Sequence, residues 1–261
     1  MESFGYCHFS VIPVRAAASH TSEMVNQLLF GEVFEILDSS EDFLLIRGTL
    51  DKYEGYISRK QYLPLTAAEF DNIQSQPAQF PVNPVSTIVE TDSGVSFRIL
   101  AGSSLRGFHN GKLTVSGKSF AYNDPLRQPE KTVNPESLIQ TAMQFLGAPY
   151  LWGGRSLFGI DCSGLTQVVF NIQGLALQRD ARYQAQSGET INLLSEALPG
   201  DLAFFDNEDG AITHVGMLLH NQQIIHASGC VRVDELDHHG IYNRNHKNYS
   251  HQLRLIKRVI G

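Results

Sequence analysis

A cysteine at the start of a predicted helix is the residue of this sequence best suited to nucleophilic chemistry. The run Asp161-Cys162-Ser163-Gly164 comes directly before the amphipathic stretch LTQVVFNIQG. The first four backbone N–H groups of a helix have no internal partner, and the helix dipole there favours negative charge. We therefore expect Cys162 to hold its thiolate at neutral pH, with its backbone N–H directed toward a developing oxyanion.

Two histidines further along the chain supply the groups that such a nucleophile needs. His214 and His226 each lie in an apolar, strand-like run, THVGMLL and IIHASG respectively. We predict that His214 takes the thiol proton and later returns it to the leaving amine. His226, on the neighbouring strand, is predicted to fix the orientation and tautomer of His214. Each histidine alone has a bland alternative as a satisfied core residue, but the three residues together outline a papain-like thiol hydrolase.

The cysteine and histidine spacings argue against metal and disulfide chemistry. The three cysteines, Cys7, Cys162 and Cys230, include no close pair, which excludes a disulfide framework and a Cys-rich zinc site. The sequence contains no HxH, HExxH or CxxC motif. We therefore predict no metal and no cofactor, and we expect Cys7 and Cys230 to be buried, inert thiols.

Composition restricts the partners of the protein. Of its 261 residues, 42% are hydrophobic and 18% are charged, which predicts substantial cores. The formal net charge of −7 argues against non-specific binding to nucleic acid or to anionic lipid. No run approaches the roughly 20 apolar residues that cross a membrane. The acidic second residue, the lack of a signal-peptide pattern and the unpaired cysteines favour the cytoplasm, with a trimmed leader as the alternative.

The elements that must position these residues fall into three regions, which we predict as domains 1–70, 71–128 and 129–261. Short strands broken by Gly, Asp and Ser in residues 6–65 and 85–122 predict two small all-β SH3-like barrels. The polar run TAAEFDNIQSQPAQFPVNP reads as a connector, and Asn110-Gly111 is a hairpin turn signal.

From Asn134 the hydrophobic period changes from that of strands to that of helices. Asn134 and Pro135 suit the first positions of a helix, which Gly147 and Pro149 end. The Cys162 helix follows, and short strands fill the chain from Gly200 onward. Helices followed by an antiparallel meander predict an α+β domain.

Four segments carry a specific family resemblance: PYLWGGRSLFGIDCSGL, LPGDLAFF, HVGMLL and IIHASG. Residues 134–260 resemble the NlpC-type cysteine peptidases, papain-like bacterial enzymes that cut cell-wall peptides. The two preceding barrels are similar to the bacterial SH3-like modules that accompany this domain. The whole order resembles the dipeptidyl-peptidase-type members, which implies cleavage of the γ-D-glutamyl–diamino acid bond in peptides with a free N-terminal L-Ala.

The resemblance also implies residues that recognise the substrate. Asp161 and Asp180 are candidates for binding the amino terminus and D-Glu, with helix capping as their structural alternative. Ser163 is a candidate for a substrate carboxylate or carbonyl, and Arg179 either binds the α-carboxylate of D-Glu or pairs with Asp180.

Further candidates surround the nucleophile or lie in the first barrel. Tyr150 and Trp152 are expected to line the cleft or to pack in the core, and the Tyr150 hydroxyl could assist the oxyanion. Ala181 stands where relatives often have serine. Glu23 and Tyr53 are the first-barrel positions expected to close the cleft; Glu32 and Tyr56 are the alternatives for this role.

The predicted partner is a peptidoglycan-derived peptide, L-Ala-γ-D-Glu-diamino acid, and a monomer is favoured. An endopeptidase acting on intact peptidoglycan outside the cell is the nearest alternative. An acyltransferase or amidase with the same triad is another. A non-catalytic wall-binding protein is the alternative of a different class.

Overall fold

The computed structural model of the protein describes residues 3–244 and 246–260. The chain divides into two compact units. The first unit holds the described residues up to Pro129 together with the short segment Gly153–Ser156. The second unit holds Glu130–Trp152 and the described residues from Leu157 onward. Of the described helices, none is both long and apolar enough to cross a bilayer.

Seven short strands of the first unit form one antiparallel sheet. They are β1 (Phe4–Tyr6), β2 (Val11–Arg15), β3 (Met24–Leu29), β4 (Val33–Ser39), β5 (Phe43–Gly48), β6 (Glu54–Ser58) and β7 (Leu63–Leu65). Their order across the sheet is β3-β2-β6-β5-β4-β1-β7. Alternate residues of these strands, including Ile12, Val14, Ile46 and Ile57, are buried in one cluster. The short strands predicted in this region are therefore present.

A helix occupies part of the segment that the sequence analysis interprets as a connector. Helix α1 (Ala67–Ser75) begins at Thr66, whose hydroxyl accepts a hydrogen bond from the Glu69 N–H. The Glu69 carboxylate in turn accepts from the Thr66 N–H, at 2.9 Å, which completes a capping box. Ile73 is buried and anchors the helix. The connector interpretation is wrong here because local capping and one apolar anchor suffice for a short helix.

A second sheet follows in the same unit. Its region contains β8 (Phe80–Pro81), β9 (Val85–Glu90), β10 (Val95–Leu100), β11 (Lys112–Val115), β12 (Lys118–Ala121) and β13 (Leu126–Arg127). Strands β9 to β12 form a four-stranded antiparallel sheet in the order β10-β9-β12-β11. Asn110 and Gly111 have φ values of 51° and 73°, and the backbones of His109 and Lys112 pair across them. The predicted tight turn is therefore present.

One apolar core runs through both sheets of the first unit. Phe30 packs edge-on against Phe120, and residues of both sheets and of α1 belong to a single buried cluster. The structure thus places the two predicted barrels in one compact unit, and their count as two separate SH3-like domains stays a prediction.

A buried ion pair in the first unit joins residues that are far apart in sequence. Strand β14 (Arg155–Ser156) belongs to this unit. The guanidinium of Arg155 donates to both oxygens of Glu32, at 2.8 and 2.9 Å, and to the carbonyl of Gln27. The Arg155 side chain is 2% exposed, so this pair fixes the segment against β3.

The helices of the second unit come before its main sheet, in the predicted order. They are α2 (Pro135–Met143), α3 (Cys162–Ile172) and α4 (Ala181–Gln184), with β15 (Gly159–Ile160) before α3 and a short 3₁₀ helix, Leu194–Glu196, after α4. The side chain of Asn134 caps α2 by accepting from the Glu136 N–H at 3.0 Å. The helix ends at Met143, before the predicted stop, and turns continue to Gly147.

Seven antiparallel strands form the sheet of the second unit. They are β16 (Glu189–Ile191), β17 (Leu202–Asp206), β18 (Ile212–Leu218), β19 (Gln223–Ser228), β20 (Cys230–Leu236), β21 (Gly240–Asn243) and β22 (Asn248–Arg258). Their order is β16-β22-β17-β18-β19-β20-β21, and β21 also pairs with β22. The strands from β17 to β22 therefore close on themselves, with α3 packed against β18 and β19.

Candidate active site

The cysteine predicted as nucleophile is the first residue of α3. Asp161 is the N-cap of this helix, and its Oδ1 accepts a hydrogen bond from the Gly164 N–H at 2.7 Å. The buried apolar residues of α3, such as Leu165 and Val169, hold the helix against the sheet. Cys162 is 7% exposed, and its sulfur accepts hydrogen bonds from the backbone N–H groups of Val215 and Ser163. The thiol is therefore fixed beside strand β18.

Burial, rather than the helix start, decides the resting protonation of this thiol. Desolvation and the nearby Asp161 carboxylate raise the pKa of Cys162 to about 11, although the two backbone N–H groups and Arg179 oppose them. The pKa of His214 is lowered well below its usual value by desolvation and by the neighbouring His251 and His226. Burial therefore favours the uncharged thiol and imidazole over the resting thiolate expected from the helix start, and in that state His214 acts as a base during the attack.

The two predicted histidines are neighbours on adjacent strands. His214 lies on β18 and His226 on β19, where His226 is directly opposite Gly216. His214 Nε2 and His226 Nδ1 are 2.9 Å apart, and both side chains are buried. A Cβ atom at Gly216 would come within 2.9 Å of the His226 Cβ, so glycine leaves the room that this pair occupies.

A carboxylate that the sequence analysis does not single out completes this row of groups. Asp234 on β20 is 8% exposed, and its Oδ2 lies 3.0 Å from His226 Nε2. Arg232 donates two hydrogen bonds to the same carboxylate, at 2.6 and 2.8 Å. The spacing VRVDEL does place both side chains on one face of a strand, but only the register of β20 against β19 brings that face to His226.

On the other side of the nucleophile, two predicted substrate-binding residues form a buried ion pair. Arg179, 2% exposed, donates from Nη2 to Asp161 Oδ2 at 2.6 Å and from Nη1 to Ser163 Oγ at 3.0 Å. The helix-capping alternative for Asp161 is thus present in the structure. The ion pair shown for Arg179 is with Asp161, whereas Asp180 Oδ2 lies 3.4 Å from Arg182 Nη2, so the suggested pair of Arg179 with Asp180 stays a prediction.

The remaining candidates of the second unit differ in exposure. Trp152 is 59% exposed, so the core-packing alternative is wrong for it, and Tyr150 is 36% exposed. Desolvation, the thiolate form of Cys162 and the Asp161 carboxylate raise the pKa of Tyr150 to about 12, which keeps its hydroxyl protonated near the sulfur. Asp180 is the N-cap of α4 without a side-chain cap hydrogen bond, and Ala181 is the buried first residue of that helix.

The two first-barrel candidates lie in the first unit. Glu23 is exposed directly before β3, and Tyr53 is half-buried directly before β6. Of their alternatives, Glu32 is engaged by Arg155, which argues against a role for it in binding an amino terminus. Tyr56 is half-buried on β6. A role for Glu23 and Tyr53 at the active site stays a prediction.

One group of the described residues has the composition of a metal site. Ring nitrogens of His214, His226 and His251 all lie within 4.8 Å of one another. However, His214 stacks on His251 with centroids 4.0 Å apart and planes at 21°. Imidazole lone pairs lie in the ring plane, so two stacked rings do not direct them at one ion. The nitrogens of His214 and His226 that face each other also share a hydrogen bond, so this group does not fit a metal.

The site consists of a cysteine at a helix start beside a sheet that carries two histidines, which is the arrangement expected of a papain-like thiol hydrolase. Comparisons with known proteins agree. Residues 147–250 match the NlpC/P60 family, and residues 14–61 match the bacterial dipeptidyl-peptidase SH3 domain. The chain therefore carries an NlpC/P60 peptidase domain preceded by a bacterial dipeptidyl-peptidase SH3 domain.

Individual relatives extend this result. This chain is 40% identical to the γ-D-glutamyl-L-lysine dipeptidyl-peptidase of Bacillus subtilis over 117 residues. The match covers 44% of this chain and 39% of the length of that relative. It is 24% identical to dipeptidyl-peptidase 6 of Lysinibacillus sphaericus over 86% of this chain and 89% of the relative. A crystal structure of an NlpC/P60 family protein from Bacillus cereus covers 99% of this chain and is itself wholly covered, with a TM-score of 0.85 and 19% identity, which shows the fold.

Proposed function

We propose that this protein is a cysteine peptidase that cleaves the γ-D-glutamyl–diamino acid bond of peptidoglycan-derived peptides with a free N-terminal L-Ala. The observation that carries the proposal is the buried row of Cys162, His214 and His226. The matches to dipeptidyl-peptidases and to their SH3 domain support the substrate class. A monomer in the cytoplasm stays part of this proposal.

The proposed reaction proceeds through an acyl-enzyme. His214 takes the proton of the Cys162 thiol as the sulfur attacks the γ-carbonyl carbon of D-Glu. The N–H of Cys162 and the protonated Tyr150 hydroxyl stabilise the oxyanion. The tetrahedral intermediate collapses when His214 gives its proton to the amine of the diamino acid, which leaves. Water, deprotonated by His214, then releases L-Ala-D-Glu from the sulfur.

Recognition of the free amino terminus is the finer part of the proposal. An ammonium needs a carboxylate or several oxygen acceptors close to the cleft. Asp180 is half-buried and its side chain makes no cap bond, so it is the first candidate of the second unit. Asp161 is already shared between Arg179 and the helix start, so its proposed part in recognition is to orient those groups. Glu23 and Tyr53 are the proposed contributions of the first unit.

The test compares defined substrates with purified enzyme. L-Ala-γ-D-Glu-meso-diaminopimelate and L-Ala-γ-D-Glu-L-Lys should be cut to L-Ala-D-Glu, and the ratio of their kcat/KM values gives the diamino acid preference. Acetylating the L-Ala nitrogen should lower kcat/KM roughly 10- to 100-fold, the effect of losing one charged hydrogen bond. The Cys162→Ala variant should be inactive. Faster release of fragments from intact sacculi than from free tripeptide would favour the wall endopeptidase and overturn the proposal.

A further inference from the structure

A carboxylate–arginine pair lies behind the second histidine and has no part in the proposed chemistry so far. Asp234 and Arg232 occupy one face of β20, next to β19, which carries His226. The guanidinium of Arg232 donates from Nε to Oδ2 and from Nη2 to Oδ1. Oδ2 is also the atom that lies 3.0 Å from His226 Nε2. The same carboxylate oxygen thus contacts both Arg232 and His226, and its role toward the histidine remains to be assigned.

That role is to accept a hydrogen bond. Desolvation alone would raise the pKa of Asp234, but hydrogen bonds from His226 and Arg232 outweigh it and hold the value at about 2. An ionised carboxylate has no proton to donate, so His226 Nε2 must carry one.

The proton order then follows along the row. When His226 is neutral, its one N–H is at Nε2, so its Nδ1 is an acceptor. It lies 2.9 Å from His214 Nε2, which must therefore be the donor. His214 Nδ1 is then left without a proton. The sulfur of Cys162 accepts a hydrogen bond from the backbone N–H of Val215, the residue directly after His214. The thiol therefore lies beside the part of the strand that carries the base.

We propose that Asp234, held by Arg232, is a positioning residue that fixes the tautomers of both histidines and so leaves His214 Nδ1 free to take the thiol proton. When the S–H bond breaks and the Nδ1–H bond forms, His214 becomes an imidazolium. Its Nε2–H then donates to His226, whose own proton stays on the carboxylate side, and the fixed negative charge of Asp234 stabilises the new positive charge. This inference rests on the proposed function for its kinetic consequence but not for the proton order itself.

The test replaces the carboxylate with an amide. In Asp234→Asn, an NH₂ group directed at His226 Nε2 reverses the proton order and puts a proton on His214 Nδ1. An amide oxygen in that position instead sets the NH₂ group against Arg232. The comparable carboxylate-to-amide change behind the histidine of a serine protease triad lowers kcat by about 10⁴. Asp234 is separated from the base His214 by His226, so we expect a smaller loss, roughly 100-fold in kcat, with little change in KM.

The chain offers a matched control. Asp201 is fully buried and is held by both Nε and Nη2 of Arg258, at 2.9 and 2.8 Å, in the same unit. The recorded side-chain hydrogen bonds of its carboxylate involve Arg258 and the Leu198 N–H, not a histidine. Asp201→Asn should therefore lower the unfolding temperature but leave kcat within about threefold. Asp234→Glu, which keeps a carboxylate, should recover part of the lost rate.

A second readout is independent of turnover and of mutant folding. Nitrogen-15 NMR of the wild-type imidazoles should show His226 protonated at Nε2 and His214 protonated at Nε2 with Nδ1 free. Protonation of His226 at Nδ1, or equal kcat losses in Asp234→Asn and Asp201→Asn, would overturn the inference. If the proton order is as proposed but the wild-type enzyme does not cut the tripeptides, the proposed function fails and the inference stands.

Discussion

The two sides of Cys162 each contain a buried aspartate held by an arginine, yet the two pairs do different work. On the helix side, Asp161 divides its oxygens between Arg179 and the Gly164 N–H at the start of α3. On the strand side, Asp234 divides its oxygens between Arg232 and an imidazole. The first pair holds the start of the helix that carries the nucleophile, whereas the second pair is in contact with a histidine of the proposed proton transfer. An aspartate–arginine pair can therefore hold a nucleophile in place on one side of the site and set the order of protons on the other.

The largest expected effect is the loss of stability in Asp161→Ala. This change removes the α3 cap and leaves the Arg179 guanidinium buried without its carboxylate. Breaking a buried pair in this way costs about 3–5 kcal/mol in the free energy of unfolding. Urea unfolding followed by circular dichroism measures it.

The control for this variant is Asp180→Ala. Asp180 caps α4 without a side-chain cap bond and faces Arg182, whose side chain is 64% exposed. Its free energy of unfolding should change by less than about 0.5 kcal/mol. Equal effects of the two substitutions would contradict the structural role assigned to Asp161.

The two sides of Cys162 also differ in how far they could be predicted from the sequence. Cys162 and Asp161 are neighbours in sequence, so the run DCSG is enough to predict the helix start. His214 and His226 were recognisable because each lies in a distinctive strand. The contact of Asp234 with His226 depends on the register of β20, which the strand sequence does not determine.

The same distinction holds in the first unit. The helix α1 could have been predicted, since Thr66 and Glu69 form the S/T-x-x-E pattern of a capping box. The pair of Arg155 with Glu32 could not, because 123 positions separate the two residues and neither lies in a motif that names the other. Local capping can be predicted from neighbouring residues, whereas ion pairs between residues far apart in sequence depend on the tertiary structure.

The second effect concerns the resting protonation of the nucleophile. Because burial raises the pKa of Cys162 to about 11, its alkylation by iodoacetamide should accelerate about 100-fold between about pH 7 and pH 9. Mass spectrometry of the labelled peptides separates Cys162 from Cys7, which is fully buried, and from Cys230. A labelling rate at Cys162 that is already constant near neutral pH would indicate a resting thiolate and restore the helix start as the dominant influence.

The third effect tests the charge of Asp234 through stability. Because the folded-state pKa of Asp234 is lowered from 3.8 to about 2, its ionised form stabilises the native state by about 2 kcal/mol. This contribution is fully present above the unfolded-state pKa of about 4 and is lost as the pH falls toward about 2. The difference in unfolding free energy between the wild type and Asp234→Asn should therefore shrink by about 2 kcal/mol over that range. A difference that is independent of pH would mean that Asp234 is not held ionised by its partners.

The smallest expected effect is that of a substitution at Gly216, on the strand side of Cys162. Gly216 lies opposite His226, and a methyl group there would approach the His226 Cβ to 2.9 Å and the end of the Ile224 side chain to 2.7 Å. The Ile224 side chain can move at low cost, whereas His226 is held at both ring nitrogens by His214 and Asp234. We expect Gly216→Ala to lower the free energy of unfolding by about 1 kcal/mol and kcat about tenfold.

Gly210→Ala is the control for this variant, because it should lose stability without displacing a histidine. The φ of Gly210 is positive, and a Cβ atom there would contact nothing within 4 Å. If kcat is unchanged in Gly216→Ala while its stability falls, the position of His226 is less critical than its protonation, and the tautomer order rather than the exact placement of the ring is what the strand side supplies.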